Sequence, residues 1–433
     1  MDLILRTKKW FLLILTLTFC IQFVNGTDVY LNITKKGGRR LFIWIPEFTL
    51  INQKQNFSKE KVKGYQELLK KDVRGTGLFR VEEAQVLTKL ETGVDYKTWA
   101  KNNLDFVLVC EVNSINKAGF TAMLYDVVSK KQVFEKEWPV ENDNWDRTMH
   151  KVADYLVFIF TGTPGLYTTR IAYTSNATGN KEIWMVDYDG ENAVSLTNHR
   201  SISILPRWSP GGKEIIYTCY KHNNPDLFHY SLNNKMHTVL SAEQGLNSPA
   251  VYSPDGEYIA LTRTIDGDPE ICIIDKTGKF VRRLTRARGI DTSPSWSANG
   301  KELAFVSERT GVTQIYSIDS NGGIAKPLTS DNTFKDSPQW SPMGDKIVFA
   351  SRKDIKWDIF VIDILTKNIY QLTSSDGNNE NPCWSPDGNK LCFTSTRFGN
   401  KELFIMDADG SNQRKIANLK GSVFTPSWSA SEE

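Results

Sequence analysis

The sequence lacks the residue patterns that identify most enzymes and metalloproteins. Its 5 histidines form no H-E-x-x-H motif, and no G-x-S-x-G turn is present to carry a catalytic serine. Neither a glycine-rich phosphate loop nor a dinucleotide fingerprint occurs. These absences favour a protein that is not an enzyme and that holds neither a metal nor a cofactor.

Cysteine is scarce, and no two cysteines have the spacing of a metal site. Cys383 and Cys392 are predicted on adjacent strands of one hairpin, where they could face each other. An oxidising compartment would permit a disulfide between them. The favoured interpretation of the cysteines beyond residue 26 is that they are small buried hydrophobic residues: Cys110, Cys219, Cys272, Cys383 and Cys392.

A large charge of one sign is also absent. The 433 residues include 53 lysines and arginines against 50 acidic residues, which leaves a net charge of +3 and gives no support for a nucleic-acid partner. The apolar run from Trp10 to Val24 is shorter than the roughly 20 residues that a membrane-spanning helix needs. Because it follows a basic stretch and precedes Val24-x-Gly26, residues 1–26 are predicted to be a cleaved secretory signal, with a retained membrane anchor as the alternative.

What the sequence does contain is a strict repeat. Aromatic residues occupy one position of six consecutive copies, each 44 residues after the last. They are Trp208, Tyr252, Trp296, Trp340, Trp384 and Trp428. A period of about 40–45 residues over this length is typical of a β-propeller.

One copy of the repeat has the pattern of a propeller blade. Ser337–Thr373 contains four short segments with strand character, separated by turn residues. The turn after the aromatic residue is Ser-Pro-Asp-Gly at both 253–256 and 385–388, in which proline and glycine supply the required backbone angles. Two Asp-x-Asp-Gly segments, at 187–190 and 407–410, are interpreted as turns rather than as calcium loops.

The count of strands predicts how the ring closes. The aromatic strand occurs six times, the last at Thr425–Ser429, and the strand that follows it also occurs six times, the first at Arg170–Ser175. No second strand follows the last aromatic strand, and no aromatic strand precedes Arg170–Ser175. We expect six blades, one of which joins a single C-terminal strand to three N-terminal strands, because an open ring would leave unpaired edges.

Residues 27–163 are predicted to form a separate mixed α/β (α+β) layer domain ahead of the propeller at 164–433. One helix is expected from the cap Ser58 to Lys71, and a second begins at the cap Asn144. The predicted strands are Val29–Thr34, Leu41–Pro46, Phe106–Ser114, Phe120–Val128 and Gln132–Val140.

The loops that lead into the aromatic strands are the candidate binding surface. Their flanks repeat while their interiors vary, and all are expected on one face around the central opening. A rigid scaffold that carries divergent loops is a common way to build a binding site. Any single loop is better explained as a merely solvated loop, but for the face as a whole a binding role is predicted.

Two stretches resemble the TolB family of the bacterial Tol–Pal cell-envelope system. They are Leu124–Gln132 and the domain junction Phe160–Tyr173, and the ending Val423–Ser429 is similar as well. The resemblance spans essentially the whole mature chain. The repeat alone is less specific, since prolyl-oligopeptidase-like propellers share it.

The resemblance implies a non-catalytic, monomeric periplasmic adaptor that supports outer-membrane integrity and envelope constriction in cell division. In this family the axial face of the propeller binds Pal, a peptidoglycan-associated lipoprotein, and the mature N-terminus binds the inner-membrane protein TolA. The Pal-binding positions would correspond to Leu246, Asn247, Ser248, Arg286, Arg288, Asp291, Thr292 and Ser293. The TolA-binding positions would correspond to Thr27, Asp28, Val29, Tyr30, Leu31, Asn32 and Ile33, an alternating stretch suited to pairing with a sheet edge.

Two other classes of protein remain open. A propeller enzyme, related to peptidases or lyases, would need a hydrolase domain or a cluster of metal ligands or bases at the axis, and histidines are few. A glycan-binding propeller would be expected to expose tryptophans in its loops, whereas most tryptophans fall at core positions of the repeat. Pro249 stands three residues before Tyr252, where the family usually has proline two residues before the aromatic, so the geometry of that blade is also open.

Overall fold

The computed structural model describes residues 39–52, 58–83, 94–113, 118–374, 377–416 and 419–432. The predicted signal at 1–26, the predicted strand Val29–Thr34 and the TolA-type stretch Thr27–Ile33 lie outside these residues. Within the described ranges, no helix has both the length and the apolar character needed to cross a membrane.

The first domain is built on a mixed six-stranded sheet. Its strands are β1 Leu41–Trp44, β2 Thr49–Asn52, β3 Phe79–Glu82, β4 Phe106–Asn113, β5 Gly119–Asp126 and β6 Lys131–Pro139. Their order is β3-β1-β4-β5-β6, with β2 also paired to β4. β1 runs parallel to β3 and β4, while β4, β5 and β6 are mutually antiparallel. The predicted strands that fall within the described residues are confirmed, whereas β2 and β3 were not predicted.

Three helices cover this sheet. They are α1 Lys59–Gly75, α2 Tyr96–Lys101 and α3 Trp145–Thr161. Ser58 caps α1 by accepting a hydrogen bond from the Lys61 amide at 3.2 Å, and Asn144 caps α3 by accepting one from the Arg147 amide at 3.0 Å. Both predicted caps are confirmed, although α1 continues past the predicted end at Lys71.

The helices lie in two layers on either side of the sheet. Leu69 of α1 and Val152 of α3 belong to one core with Phe120 of the sheet, whereas Trp99 of α2 packs with Trp44 on the other face. The result is a three-layer α/β domain with helices on both faces of the sheet.

The rest of the described chain forms six four-stranded blades. Blade 1 contains β7 Arg170–Ser175, β8 Glu182–Asp187, β9 Val194–Ser195 and the C-terminal strand β30 Val423–Trp428. Blade 2 contains β10 Ser203–Trp208, β11 Glu214–Cys219, β12 Asp226–Ser231 and β13 His237–Ser241, and blade 3 contains β14 Asn247–Tyr252, β15 Tyr258–Ile265, β16 Asp268–Asp275 and β17 Phe280–Arg283. Blade 4 contains β18 Asp291–Trp296, β19 Glu302–Ser307, β20 Gln314–Asp319 and β21 Lys326–Pro327, and blade 5 contains β22 Phe334–Trp340, β23 Lys346–Lys353, β24 Lys356–Asp363 and β25 Ile369–Gln371. Blade 6 contains β26 Asn379–Trp384, β27 Lys390–Phe398, β28 Asn400–Asp407 and β29 Arg414–Lys415.

The ring closes as the sequence predicts. β30 pairs antiparallel with β7, with Val423 opposite Ser175 and Trp428 opposite Ile171, and the sheet order is β30-β7-β8-β9. The first strand of each blade contacts the first strand of the next, from β10 through β30 and back to β10. These six inner strands surround the central channel.

Each inner strand carries a bulge shortly before its aromatic residue. In five blades the bulge contains a residue with positive φ, near 50–60° except for 47° at Thr425: Leu205, Ser293, Ser337, Asn381 and Thr425. Blade 3 differs, because the equivalent position is Pro249 and the Ser248–Pro249 bond is cis. The displaced proline therefore replaces the left-handed residue of the other blades, which answers the question that the sequence left open.

Helix α3 attaches the first domain to blade 1. Arg147 donates from Nη2 to the Thr168 carbonyl at 2.6 Å and forms ion pairs with Glu432 and, at 3.8 Å, with Asp187. Asp154 accepts hydrogen bonds from the backbone amide and the hydroxyl of Thr168, both at 2.7 Å. Asp187–Gly190 is a turn, as predicted, with the Gly190 amide donating to the Asp187 carbonyl at 2.9 Å.

Candidate functional site

The candidate surface is the end of the propeller at which the chain enters each inner strand. We call it the loop face; it comprises the loops that precede the inner strands together with the hairpins that join the second and third strands of each blade. The two kinds of loop contact each other around blade 3. The Gly245 amide donates to Asn224 Oδ1 at 3.0 Å, and the Leu246 amide donates to Thr264 Oγ1 at 3.0 Å.

A repeated hydrogen-bond cluster fixes the base of these loops. Thr285 Oγ1 accepts from the Ile271 amide at 2.9 Å and donates to the carboxylate of Glu270. Two further blades repeat the cluster, with Thr197 bonded to Ile183 and Glu182, and Thr373 bonded to Ile359 and Asp358. The three hydroxyls and the carboxylates of Glu182 and Glu270 are buried, and Asp358 is half-buried, so the clusters hold the loop bases rigid from within.

This cluster was not predicted from the sequence, although its signal is present there. The three threonines and their acidic partners recur every 88 residues, which is twice the step of 44 residues between the aromatic landmarks. Hydroxyls and carboxylates are common throughout the chain, so these residues do not stand out by themselves. Their period becomes visible only when the repeats are aligned on their aromatic residues.

The loop that leads into blade 4 presents two unpaired cations. Arg286 and Arg288 are exposed, and neither forms a hydrogen bond or an ion pair with any residue that the structure describes. Ile290, close by in the same loop, is also exposed. Its carbonyl accepts from the Glu308 amide at 2.9 Å, which ties the loop to the neighbouring hairpin.

Three of the predicted Pal-type residues lie beneath this surface rather than on it. Asn247, Asp291 and Ser248 are only 0%, 1% and 5% exposed. The Asn247 amide group donates to the carbonyls of Glu243 at 2.6 Å and Gly245 at 3.0 Å. These three residues therefore act as internal supports of the loop face.

Each of the other buried supports has its own partner. Asp291 forms an ion pair with Arg309 at 2.9 Å, and Ser248 accepts a hydrogen bond from the Thr218 hydroxyl. Among the half-buried positions, Thr292 accepts a hydrogen bond from the Thr262 hydroxyl at 3.1 Å. Leu246 and Ser293 are half-buried as well, with Ser293 lining the channel.

Apolar side chains are also exposed on the loop face. Ile355 and Phe398 are 84% and 69% exposed in the hairpins of blades 5 and 6, Ile202 is exposed in the loop before β10, and Phe334 is exposed at the start of β22. Exposed apolar groups beside unpaired charges are typical of a surface that binds another protein.

The central channel contains a cavity of about 400 Å³, which is lined from the bulge positions, such as Ser293, to the turns after the aromatic residues, such as Ser297. The cavity therefore lies toward the end of the ring opposite the loop face. At one level of the inner strands the repeat places Ser248, Thr292, Asp336 and Glu380 in equivalent positions. Burial raises the pKa of Asp336 above its usual range, more than hydrogen bonds from Ser337 lower it. Glu380 forms an ion pair with Lys401. Throughout the described ranges, no group of three or more His, Cys, Asp or Glu side chains is arranged to hold a metal ion.

The fold and this surface define a class of protein, a six-bladed β-propeller with an amino-terminal α/β domain and a rigid, loop-bearing axial face. The model of the TolB beta propeller domain matches residues 159–432, and that of the TolB amino-terminal domain matches residues 29–133. The chain belongs to the TolB family.

Curated relatives match part of the chain. The Tol-Pal system protein TolB of Methylobacillus flagellatus is 30% identical over 182 residues, which are 41% of this chain and 42% of the relative. The protein of the same name from Roseobacter denitrificans is 31% identical over 188 residues, again 41% and 42% of the two chains. The matched segment thus spans less than half the length of these relatives.

A solved structure matches much more of the chain. The crystal structure of TolB from Acinetobacter baumannii superposes with a TM-score of 0.76 at 25% sequence identity. The superposition covers 90% of this chain and 97% of that protein. Both the propeller and the amino-terminal domain are therefore arranged as in a solved member of the family.

Proposed function

We propose that this protein is a non-catalytic periplasmic adaptor whose loop face binds a Pal-like, peptidoglycan-associated lipoprotein. The observation that carries the proposal is the pair of exposed guanidinium groups, Arg286 and Arg288, on a loop with a rigid base. They lie beside the exposed Ile290 and have no ion-pair partner among the described residues. An acidic protein surface with an apolar centre would complement this loop.

The rigid base of the loop favours tight binding. Loops that are already held by buried hydrogen bonds lose little conformational entropy when a partner binds. Asn247, Ser248 and Asp291 contribute in this indirect way, by holding the loops that carry the contacting residues. Leu246, Thr292 and Ser293 are half-buried, and Ser293 also lines the channel.

The mature N-terminus provides a second proposed binding segment. Thr27–Ile33 alternates apolar and polar residues, so a TolA-like protein could bind it by adding it to the edge of a sheet. Two binding sites on one chain would make it a link between an outer-membrane lipoprotein and an inner-membrane protein. We propose that this link supports outer-membrane integrity and envelope constriction during cell division.

The test is a calorimetric titration of the exported chain with the soluble domain of the same organism's Pal-like lipoprotein. We expect saturable one-to-one binding that weakens at least tenfold in the double variant Arg286→Ala, Arg288→Ala, since each charged contact in an interface contributes on the order of 1 kcal/mol. The matched control is Lys213→Ala with Lys279→Ala, which removes the same charge from exposed turns at the opposite end of the blades.

Three results would decide the question. Unchanged affinity in the control together with weaker binding in the arginine variant supports the proposed face. An equal loss of affinity in both variants would show that the effect comes from the change in net charge, which would contradict the proposed contacts. Absence of binding by a folded chain would overturn the assignment of the partner.

A further inference from the structure

Two cysteines lie directly opposite each other in blade 6. Cys383 of the inner strand β26 is the cross-strand partner of Cys392 in β27, and their Sγ atoms are 2.8 Å apart. Directly opposed residues of antiparallel strands have Cα atoms about 4.5–5.5 Å apart. A disulfide requires about 4.4–6.8 Å, so the backbone of this pair already has the separation that the bond needs.

The other described cysteines are not placed in this way. Cys110 is opposite Ala122, Cys219 is opposite Ser203 and Asp226, and Cys272 is opposite Leu261 and Arg283. In the other blades, the positions equivalent to the pair hold no cysteine: Arg207 and Ile216, Val251 and Ala260, Ser295 and Ala304, Gln339 and Val348, and Ser427 and Ala172. The two thiols therefore meet in one blade only.

That blade adjoins the closure of the ring. Cys383 and Cys392 belong to the same hydrophobic core as Tyr173, Val423 and Trp428, which come from the two strands that join the ends of the propeller. A covalent link at this point would hold the inner hairpin of blade 6 against the closing strand β30.

We propose that Cys383 and Cys392 form a structural disulfide in the exported protein. One thiolate attacks an external disulfide, such as oxidised glutathione or the disulfide of a thiol oxidase, to give a mixed disulfide and release one thiol. The second thiolate then displaces the remaining thiol. The two cysteines lose two protons and two electrons, and the external disulfide is reduced to two thiols.

Burial determines when this reaction can occur. Cys383 and Cys392 are 3% and 0% exposed, so an external disulfide cannot reach them in the folded propeller. Burial also raises the pKa of the Cys392 thiol, which keeps it protonated and unreactive once the blade has formed. The bond therefore forms while the chain folds, and afterwards it is protected from reductants. The proposed disulfide depends on the proposed export in one respect only, because export determines which oxidant the chain meets in the cell.

The test uses the chain refolded from denaturant in a mixture of reduced and oxidised glutathione. The product is unfolded in N-ethylmaleimide, digested with trypsin and analysed by mass spectrometry. Because Lys390 lies between the two cysteines, trypsin places them in separate peptides, 368–390 and 391–397. We expect these peptides to be linked, with Cys110, Cys219 and Cys272 alkylated.

The variant Cys392→Ala, which introduces the alanine found at this position in three other blades, should leave Cys383 alkylated, while Cys272→Ala should leave the link intact. Dithiothreitol should reduce the bond at least about tenfold more slowly in native buffer than in denaturant. Alkylation of both cysteines in the wild-type chain, or glutathione adducts in place of the link, would overturn the proposal. Equal rates of reduction in the two conditions would contradict a buried structural bond. None of these results depends on the partner of the loop face.

Discussion

At the scale of single residues, His150 is a buried side chain of the domain junction with carboxylate partners on two sides. It is buried in α3, with Nδ1 2.7 Å from Asp72 Oδ2 and Nε2 3.7 Å from Asp189 Oδ2, and its ring stacks on Tyr167. Burial by itself lowers the pKa of His150, but the hydrogen bond and charge of Asp72, with the charges of Asp189 and Asp187, outweigh it and raise the pKa above the usual value. In its protonated form, His150 pairs with both Asp72 and Asp189 and so links the first domain to blade 1.

This linkage predicts a pH dependence of stability. Because the folded pKa of His150 is raised, its contribution is fully present below the unfolded pKa of about 6.5 and is lost as the pH rises through the folded value. The melting temperature of wild type relative to His150→Gln should therefore decrease as the pH rises from about 6 to 9. His222→Gln, at a histidine that is largely exposed, is the control. A difference between wild type and His150→Gln that does not change with pH would contradict the linkage.

A second prediction at the scale of residues distinguishes the buried residues that support the loop face from the exposed residues that would contact a partner. Asn247→Ala removes two donated hydrogen bonds and one accepted from Ser241 at 2.6 Å, and it leaves the buried Ser241 hydroxyl without this acceptor. We expect a loss of about 2–3 kcal/mol in the free energy of unfolding, measured in denaturant. Arg286→Ala, at an exposed side chain, should change stability by less than about 0.5 kcal/mol. Similar values for both variants would contradict the division into supports and contacts.

At the scale of elements, the period of 44 residues predicts the blades, their four strands and the closing strand. The elements that were not predicted are short: β2 and β3 have 4 residues each and α2 has 6. Their lengths are too short for a periodic pattern to emerge, and tertiary contacts such as the packing of Trp99 stabilise them. The cis bond at Ser248–Pro249 and the burial of Asn247 and Asp291 also depend on neighbouring strands, which no local pattern encodes.

The closing strand allows a prediction about a whole element. Ending the chain after Ser422 removes β30 and leaves β7 as an open edge next to the exposed core of blade 6. We expect aggregation in size-exclusion chromatography and loss of the cooperative thermal transition. Ending the chain after Ala430 is the control, because it keeps β30 and removes only the contacts of Ser431 and Glu432. A folded, monomeric chain without β30 would contradict the closure as the source of stability.

At the scale of the whole molecule, the propeller is a rigid ring whose two ends differ. One end carries the turns and the contacts to α3 around Asp187 and Asp189. The other end is the loop face, with buried hydrogen-bond clusters beneath and unpaired charges above. The family resemblance predicts the candidate site in the loops that contain Leu246 and Arg286, but only the structure distinguishes the exposed Arg286 and Arg288 from the buried residues that hold their surroundings.

Hydrogen–deuterium exchange of residues 27–433, with and without the soluble domain of the same organism's Pal-like lipoprotein, tests most directly whether the loop face binds a partner. The account predicts slower exchange in the loops at 241–248 and 285–293, which lie on the loop face, and no change in the turns at 209–213 and 275–279 at the opposite end. Protection of the turns, with the loops unchanged, would contradict the loop face as the binding surface of this protein.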